Sequence, residues 1–223
     1  MIASVLIDPM LPALKTSYLI EEVLEWMEES GLSQLPVVED EKYLGLVSVS
    51  AMTEWGPPGA ALSEIPLEHI HLHAEENQHI LELIGLAVKH RLKVIPVLGQ
   101  NGRYLGAVSV PELFEKYGES IGAAETGAII VLDIKPHDYS LSEISRLVES
   151  NGAKIIMSHY PGSHIYDASG NQYLTLKLNQ VNVAHILATF ERFGYTVSEV
   201  HASEPVASVD QERLDMLMRY LAT

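Results

Sequence analysis

Gln34-Leu-Pro-Val-Val-Glu-Asp-Glu-Lys-Tyr-Leu-Gly-Leu-Val-Ser-Val49 decides how this chain is read, because Val94-Ile-Pro-Val-Leu-Gly-Gln-Asn-Gly-Arg-Tyr-Leu-Gly-Ala-Val-Ser-Val110 returns about sixty residues later. Tyr43-Leu-Gly-Leu-Val-Ser-Val49 and Tyr104-Leu-Gly-Ala-Val-Ser-Val110 differ at one position in seven. Pro36 and Pro96 precede them by nearly the same interval, and the second copy carries one extra residue in its turn. A tandem repeat of this period marks units that bury their apolar faces against each other.

Outward from the first copy, Ile20, Val23, Leu24 and Met27 fall at i, i+3, i+4 and i+7, the stripe of a core-facing helix, with Gly31 at its end. Residues 34–39 and 43–49 read as a hairpin around a polar turn, and 50–55 as a short helix ended by Gly56-Pro-Pro-Gly59. The second copy repeats this order. Ile80, Leu83, Ile84 and Ala87 form its stripe, 92–98 and 104–110 its strands, and 111–117 its closing helix with Pro111 in the first turn.

The small, glycine-rich stretch 118–127 marks a boundary. After it, strands at 128–134, 153–160, 173–178 and 195–202 alternate with two helices. The first helix opens on a Ser140-Leu-Ser-Glu143 capping box, and the second carries Val183, Ile186, Leu187 and Phe190 on one face. The order β-α-β-β-α-β is the ferredoxin-like arrangement. Beyond Glu204-Pro205, Leu214, Leu217, Met218 and Leu221 share one face of an expected terminal helix with Ser208 at its cap, a docking element.

The fold class expected is therefore mixed α+β and α/β. A pair of βαββα units at about 5–56 and 60–118, packed with pseudo-twofold symmetry, is followed by a linker at 119–127, a ferredoxin-like domain at 128–203 and a C-terminal helix at 204–223.

Composition narrows function. A formal charge of −16 spread over 223 residues repels phosphate backbones, which argues against nucleic acid and anionic membrane as partners. There is no cysteine, so thiolate metal sites and disulfides are excluded. No apolar run approaches the roughly 18 residues of a membrane span, and the first ten residues have no basic leader, so a soluble cytoplasmic protein is expected. No Gly-x-Ser-x-Gly, phosphate-cradling glycine loop with Lys or His-Glu-x-x-His occurs, so no catalytic residue and no cofactor are assigned.

At the repeated Pro-Val and Gly-x-Val-Ser segments, residues 5–117 resemble a tandem pair of CBS domains, a Bateman module. Residues 128–202 look like an ACT domain, and the whole chain resembles the CBS/ACT regulators called acetoin-utilisation proteins. The first copy reads Leu35-Pro36-Val37 with Gly45, Ser48 and Ala51. The second reads Ile95-Pro96-Val97 with Gly106, Ser109 and Glu112. The resemblance implies a ligand of the AMP, ATP or S-adenosylmethionine type, with a hydroxyl on phosphate and a carboxylate three residues later on the ribose.

That carboxylate is replaced by Ala51 in the first copy and kept, one methylene longer, as Glu112 in the second. The second cleft, with Ile95, Pro96, Val97, Ser109 and Glu112, is therefore favoured over the first, with Leu35, Pro36, Val37 and Ser48. The same hydroxyls would serve equally as strand-to-helix caps. Only Arg91, Lys93 and Arg103 supply positive charge near the second hairpin, which favours a monophosphate or an uncharged adenosyl compound over a triphosphate.

In the ACT-like domain the turn of His137, Asp138 and Tyr139 stands where the family contacts amino acids, although it lacks the family's glycine and suits an ordinary solvated turn. His69, His71 and His73 alternate as metal ligands would on an extended strand, with His79 near; the competing reading puts Ile70 and Leu72 inward and the histidines on a polar outer face. A homodimer is expected, its apolar face built by Leu46, Met52, Leu113 and Phe114. Two functions are weighed: a non-catalytic regulator whose repeats sense an adenosine compound, and a scaffold with empty clefts that binds a protein target through the ACT-like and tail surfaces.

Overall fold

The computed structural model describes residues 1–57, 59–161 and 172–202. The chain divides into two compact units, Met1–Gly118 and Glu119–Thr223. The expected tail helix at 204–223 and residues 162–171, between the expected strands at 153–160 and 173–178, lie outside the described residues.

In the first unit, helix α1 (Ile20–Ser30) leads into strands β1 (Gln34–Glu39) and β2 (Lys42–Ser48) and helix α2 (Val49–Trp55). The second repeat follows with the two-residue strand β3 (Ala74–Glu75), α3 (Ile80–His90), β4 (Val94–Leu98), β5 (Tyr104–Ser109) and α4 (Val110–Ser120). Ile20, Val23 and Met27 are buried along α1, as are Ile80, Leu83 and Ala87 along α3. Each such side chain contributes about 1.5–3 kcal/mol of burial, so the stripes hold the helices to the hairpins.

Both hairpins slip register at the same place, between Val37 and Val38 and between Val97 and Leu98. The extra residue of the second copy lies in the turn. Asp40 and Glu41, at φ 49° and 61°, close the first hairpin in two residues, whereas a 3-10 turn at Gln100–Gly102 closes the second. The turns meet where Tyr104 N donates to the Glu41 carbonyl at 2.8 Å.

Each repeat is completed by the leading segment of the other. Asp8 N donates to the Ala107 carbonyl at 3.0 Å, while Glu68 and Leu46 exchange both backbone bonds at 2.7 Å. The chain then crosses back, so that Leu14 pairs in parallel with Val37 and Ala74 with Val97. The cores follow the crossing: Ala60, Leu62 and Ile65 are buried with α1, and Ala3 and Leu6 with α3.

This crossing explains the glycine of the repeated motif. A Cβ on Gly45 would stand 2.8 Å from Leu67 Cβ and 3.0 Å from the Glu68 carbonyl oxygen, and one on Gly106 would collide with Ile7 Cγ2. Only a bare backbone lets the partner repeat's leader approach this closely.

Two expectations are corrected. Leu46, Met52 and Leu113, read as a dimer face, are 0%, 0% and 2% exposed because they fill the chain's own cores; Phe114 alone of the four is exposed, at 77%. Residues 69–73 are not a strand. His69 has a left-handed backbone (φ 52°), and Leu72 N donates to its carbonyl at 2.9 Å, so the segment is a turn and the three histidines share no face.

The second unit runs β6 (Ile129–Ile134), α5 (Leu141–Glu149), β7 (Ile155–His159), β8 (Gln172–Leu178), α6 (Ala184–Arg192) and β9 (Thr196–His201). Its antiparallel sheet has the order β7-β8-β6-β9. Ile130, Leu132 and Ile134 alternate into one core with Ile144, Leu147, Val148, Ile186 and Phe190 of the two helices. Ser140 caps α5, accepting from Glu143 N at 3.4 Å. The Glu143 carboxylate accepts the Tyr195 hydroxyl at 2.9 Å.

Candidate functional site

The residues singled out in the two repeats fall into a buried set and a junction set. Leu35, Pro36, Val37, Ile95, Pro96 and Val97 are all buried in the hairpins.

The junction residues stand where each hairpin turns into its closing helix. Ser48 Oγ accepts from Ala51 N and Ser109 Oγ from Glu112 N, each at 3.2 Å. Both hydroxyls are thus N-caps, in keeping with the local reading of the sequence. A hydroxyl that accepts a cap bond still carries a proton to donate. Ser48 Oγ also shares a 2.9 Å bond with Ser50 Oγ. Beside Ser109 the half-buried Glu112 presents a carboxylate at the start of α4, where the first repeat has the buried Ala51.

A groove of about 390 Å³ opens on the first repeat, lined by Met10, Pro12, Trp26, Glu29 and Leu35. The crossing segment supplies Met10 and Pro12, α1 supplies Trp26 and Glu29, and β1 supplies Leu35. Trp26 is 42% exposed and meets Tyr18 edge to face at 5.4 Å, so its indole is held on one side and open on another. An apolar slot with an oriented aromatic suits a flat ring, and its one charged wall is acidic. Sequence reasoning named Leu35 but missed Trp26, whose place outside the buried stripe of α1 was the available signal.

Between the hairpins, the Tyr43 hydroxyl donates to the His69 carbonyl at 2.9 Å. The equivalent Tyr104 hydroxyl is buried and has no hydrogen-bond partner among the described residues. Burial pushes both phenols well above their ordinary pKa. At the rim, Thr16 donates from its hydroxyl (2.7 Å) and its backbone to Glu39, which holds that carboxyl below the usual range.

In the second unit a pocket of about 400 Å³ is lined by Asp133, Lys135, Asp138, Glu143, Phe193 and Tyr195, among others. Of the turn residues expected there, only Asp138 reaches it. His137 is exposed with Nε2 3.3 Å from Asp138 Oδ1, and Tyr139 stacks on Tyr160 at 4.2 Å. Burial first, then the Glu143 hydrogen bond and charge, push the Tyr195 hydroxyl up to about 12. Asp133, Glu143 and Tyr195 come from β6, α5 and the connection before β9, so no local motif announced them.

Of the histidines, His73 Nε2 lies 3.3 Å from Glu75 Oε1, the His69 ring meets His90 at 6.5 Å, and His79 caps α3. Among the described residues no group of three His, Asp or Glu side chains converges as metal ligands would. Among them, too, no helix is long and apolar enough to cross a membrane.

An inosine-5'-monophosphate dehydrogenase of Thermoplasma acidophilum is 24% identical over 121 residues, covering 53% of this chain and 24% of that protein. The chain thus spans about a quarter of the length of this curated relative. The crystal structure of a CBS domain pair/ACT domain protein from Thermotoga maritima is 19% identical with a TM-score of 0.47, covering 53% of this chain and 98% of the other. That of CBSX2 in complex with AMP is 16% identical, also at 0.47, covering 53% and 96%. Residues 5–56, the first repeat with its leading segment, match the model of the CBS domain family.

Proposed function

We propose that this protein is a non-catalytic regulator whose paired repeats bind an adenosine-containing ligand and pass occupancy to the ACT-like second unit, the chain working as a homodimer. The groove that holds Trp26, on the stretch matching the CBS family, carries this reading. An adenine ring stacked there would gain the stabilisation that bases find on aromatic faces. With Glu29 on the wall and a formal charge of −16, AMP or an S-adenosyl compound is favoured over a triphosphate. The second cleft supplies a different chemistry: the Ser109 hydroxyl for a phosphate or ribose oxygen and Glu112 to accept from ribose hydroxyls.

Coupling requires only that the ligand bind two arrangements of the protein with different affinity. Heating the protein with AMP, ATP, S-adenosylmethionine and free amino acids tests the reading. A ligand specific for the folded state, present at 100 times its Kd, adds about 2.7 kcal/mol and raises the melting temperature. No shift with any adenosine compound would remove the sensor reading. The caps favour a second reading, a scaffold with empty clefts that holds a protein target, since Ser48 and Ser109 already have a structural task.

A further inference from the structure

We propose that residues 121–127 are a strap latched on the second unit's sheet by Lys177, and that this latch is the route by which α4 and that sheet are coupled; it rests on the coupled regulator of the preceding reading and assigns its route. The small residues of 118–127 suit a loose linker. The chain is instead folded onto the sheet face turned away from the helices. Leu174, Leu176 and Leu178 of β8 enter the core, so Tyr173, Thr175 and Lys177 stand on the opposite face. There Lys177 has Ile129 and Met157 as cross-strand neighbours and is only 7% exposed.

A buried ammonium needs partners, and among the described residues Lys177 finds its hydrogen-bond partner in the strap: Nζ donates to the Ala123 carbonyl at 2.7 Å. One neutral carbonyl offsets only part of the cost of burying a charge, which makes the closed latch a state the protein can leave. Gly122 is the second point of attachment. It is buried with a left-handed backbone (φ 63°), and a Cβ there would stand 2.7 Å from Ile156 Cγ2 of β7. Only glycine seats the strap so close with that backbone. Ala123, Ala124, Glu125 and Thr126 are exposed, so the strap buries little apolar area of its own, the mark of a segment that opens locally.

The strap begins where α4 ends. α4 has Ser109 at its cap and Glu112 in its first turn, and it runs without a break to Ser120, about 16 Å along. The boundary between the two units falls inside this helix, after Gly118. A ligand that engages Glu112 therefore acts on the element whose far end is the strap. Whether a shift of α4 reaches the sheet depends on whether Lys177 holds.

Hydrogen exchange of the intact chain, read by mass spectrometry on the wild type, Lys177→Met and Gly122→Val, tests this. Methionine keeps an apolar stem of similar length and removes the donors, whereas valine acts from the strap side and leaves Lys177 in place. Without ligand, residues 121–128 of the wild type should exchange about tenfold or more slowly than in either variant, with β4 and β5 unchanged. A wild-type strap that exchanges like an unfolded chain, or one that Lys177→Met leaves as slow as before, would overturn the latch. Should Lys177→Met loosen β6 and β8 as well, Gly122→Val decides. Millimolar AMP should change exchange at 121–128 and in β8 by about a few-fold in the wild type, and in Lys177→Met the change should stop at α4. A wild-type change confined to residues 1–118 would overturn the coupling and leave the sensor standing. No change anywhere would remove the sensor and the coupling together, while the ligand-free comparison still decides the latch.

Discussion

Glu21, Glu25 and Glu28 in the first repeat correspond to Leu81, Gly85 and Val88 in the second, on helices that bury the same stripe. The hairpins show the same division. Gly45 and Gly106 each admit the other repeat's leader, and Ser48 and Ser109 each cap a closing helix. Yet Ala51 of the first copy corresponds to Glu112 of the second, and Tyr43 has a hydrogen bond that Tyr104 lacks among the described residues. Positions that build the shared scaffold stay alike, while positions on the outer helix faces and at the strand-to-helix junction diverge.

The largest effect expected from that comparison is at the glycines. Gly45→Ala should cost about 1–3 kcal/mol, because the added carbon meets the Leu67 Cβ and a backbone oxygen that cannot swing away. Gly106→Ala should cost less, since its obstacle is the Ile7 side chain, and equal losses in urea titration would contradict the difference. Next come the caps: Ser48→Ala and Ser109→Ala should each cost about 1 kcal/mol. If Ser109 also donates to a ligand, its alanine variant loses affinity as well as stability, which separates sensor from scaffold.

The tyrosines divide more finely. Tyr43→Phe should cost about 0.5–1.5 kcal/mol through the bond to His69, whereas Tyr104→Phe removes a buried hydroxyl without a partner and should be neutral or stabilising. Equal costs would break the asymmetry. Smallest is an alkaline effect in the second unit. With Tyr195 pushed up to about 12 from an ordinary value near 10, the stabilisation is fully present below pH 10 and lost as pH rises towards 12, where the unfolded phenol ionises and the folded one does not. Tyr195→Phe should remove that part of the alkaline decline.

Much of this was legible before any coordinates. The 3.6-residue stripes, the hairpins and the cap serines are local patterns, and the helices and strands expected between residues 20 and 202 lie within a few residues of their expected places. The exchange of leaders was not legible, because Leu67 meeting Gly45 and Ile7 meeting Gly106 are long-range contacts that leave only a glycine in the sequence. The same limit explains the misread dimer face: periodicity marks Met52 and Leu113 as apolar but cannot say which neighbour covers them. It also explains Trp26, whose groove depends on Met10 and Pro12 arriving from a segment that crosses between repeats.

Calorimetric titration of AMP and of S-adenosylmethionine into the intact chain, its Trp26→Ala variant and its Glu112→Ala variant tests the central claim most directly. Saturable binding is predicted. It should be weakened by about 1–3 kcal/mol in Trp26→Ala if the ligand occupies the aromatic groove, or by about 1.5–3 kcal/mol in Glu112→Ala if it occupies the second cleft. No heat from either ligand at millimolar concentration, or binding that neither substitution weakens, would contradict the account.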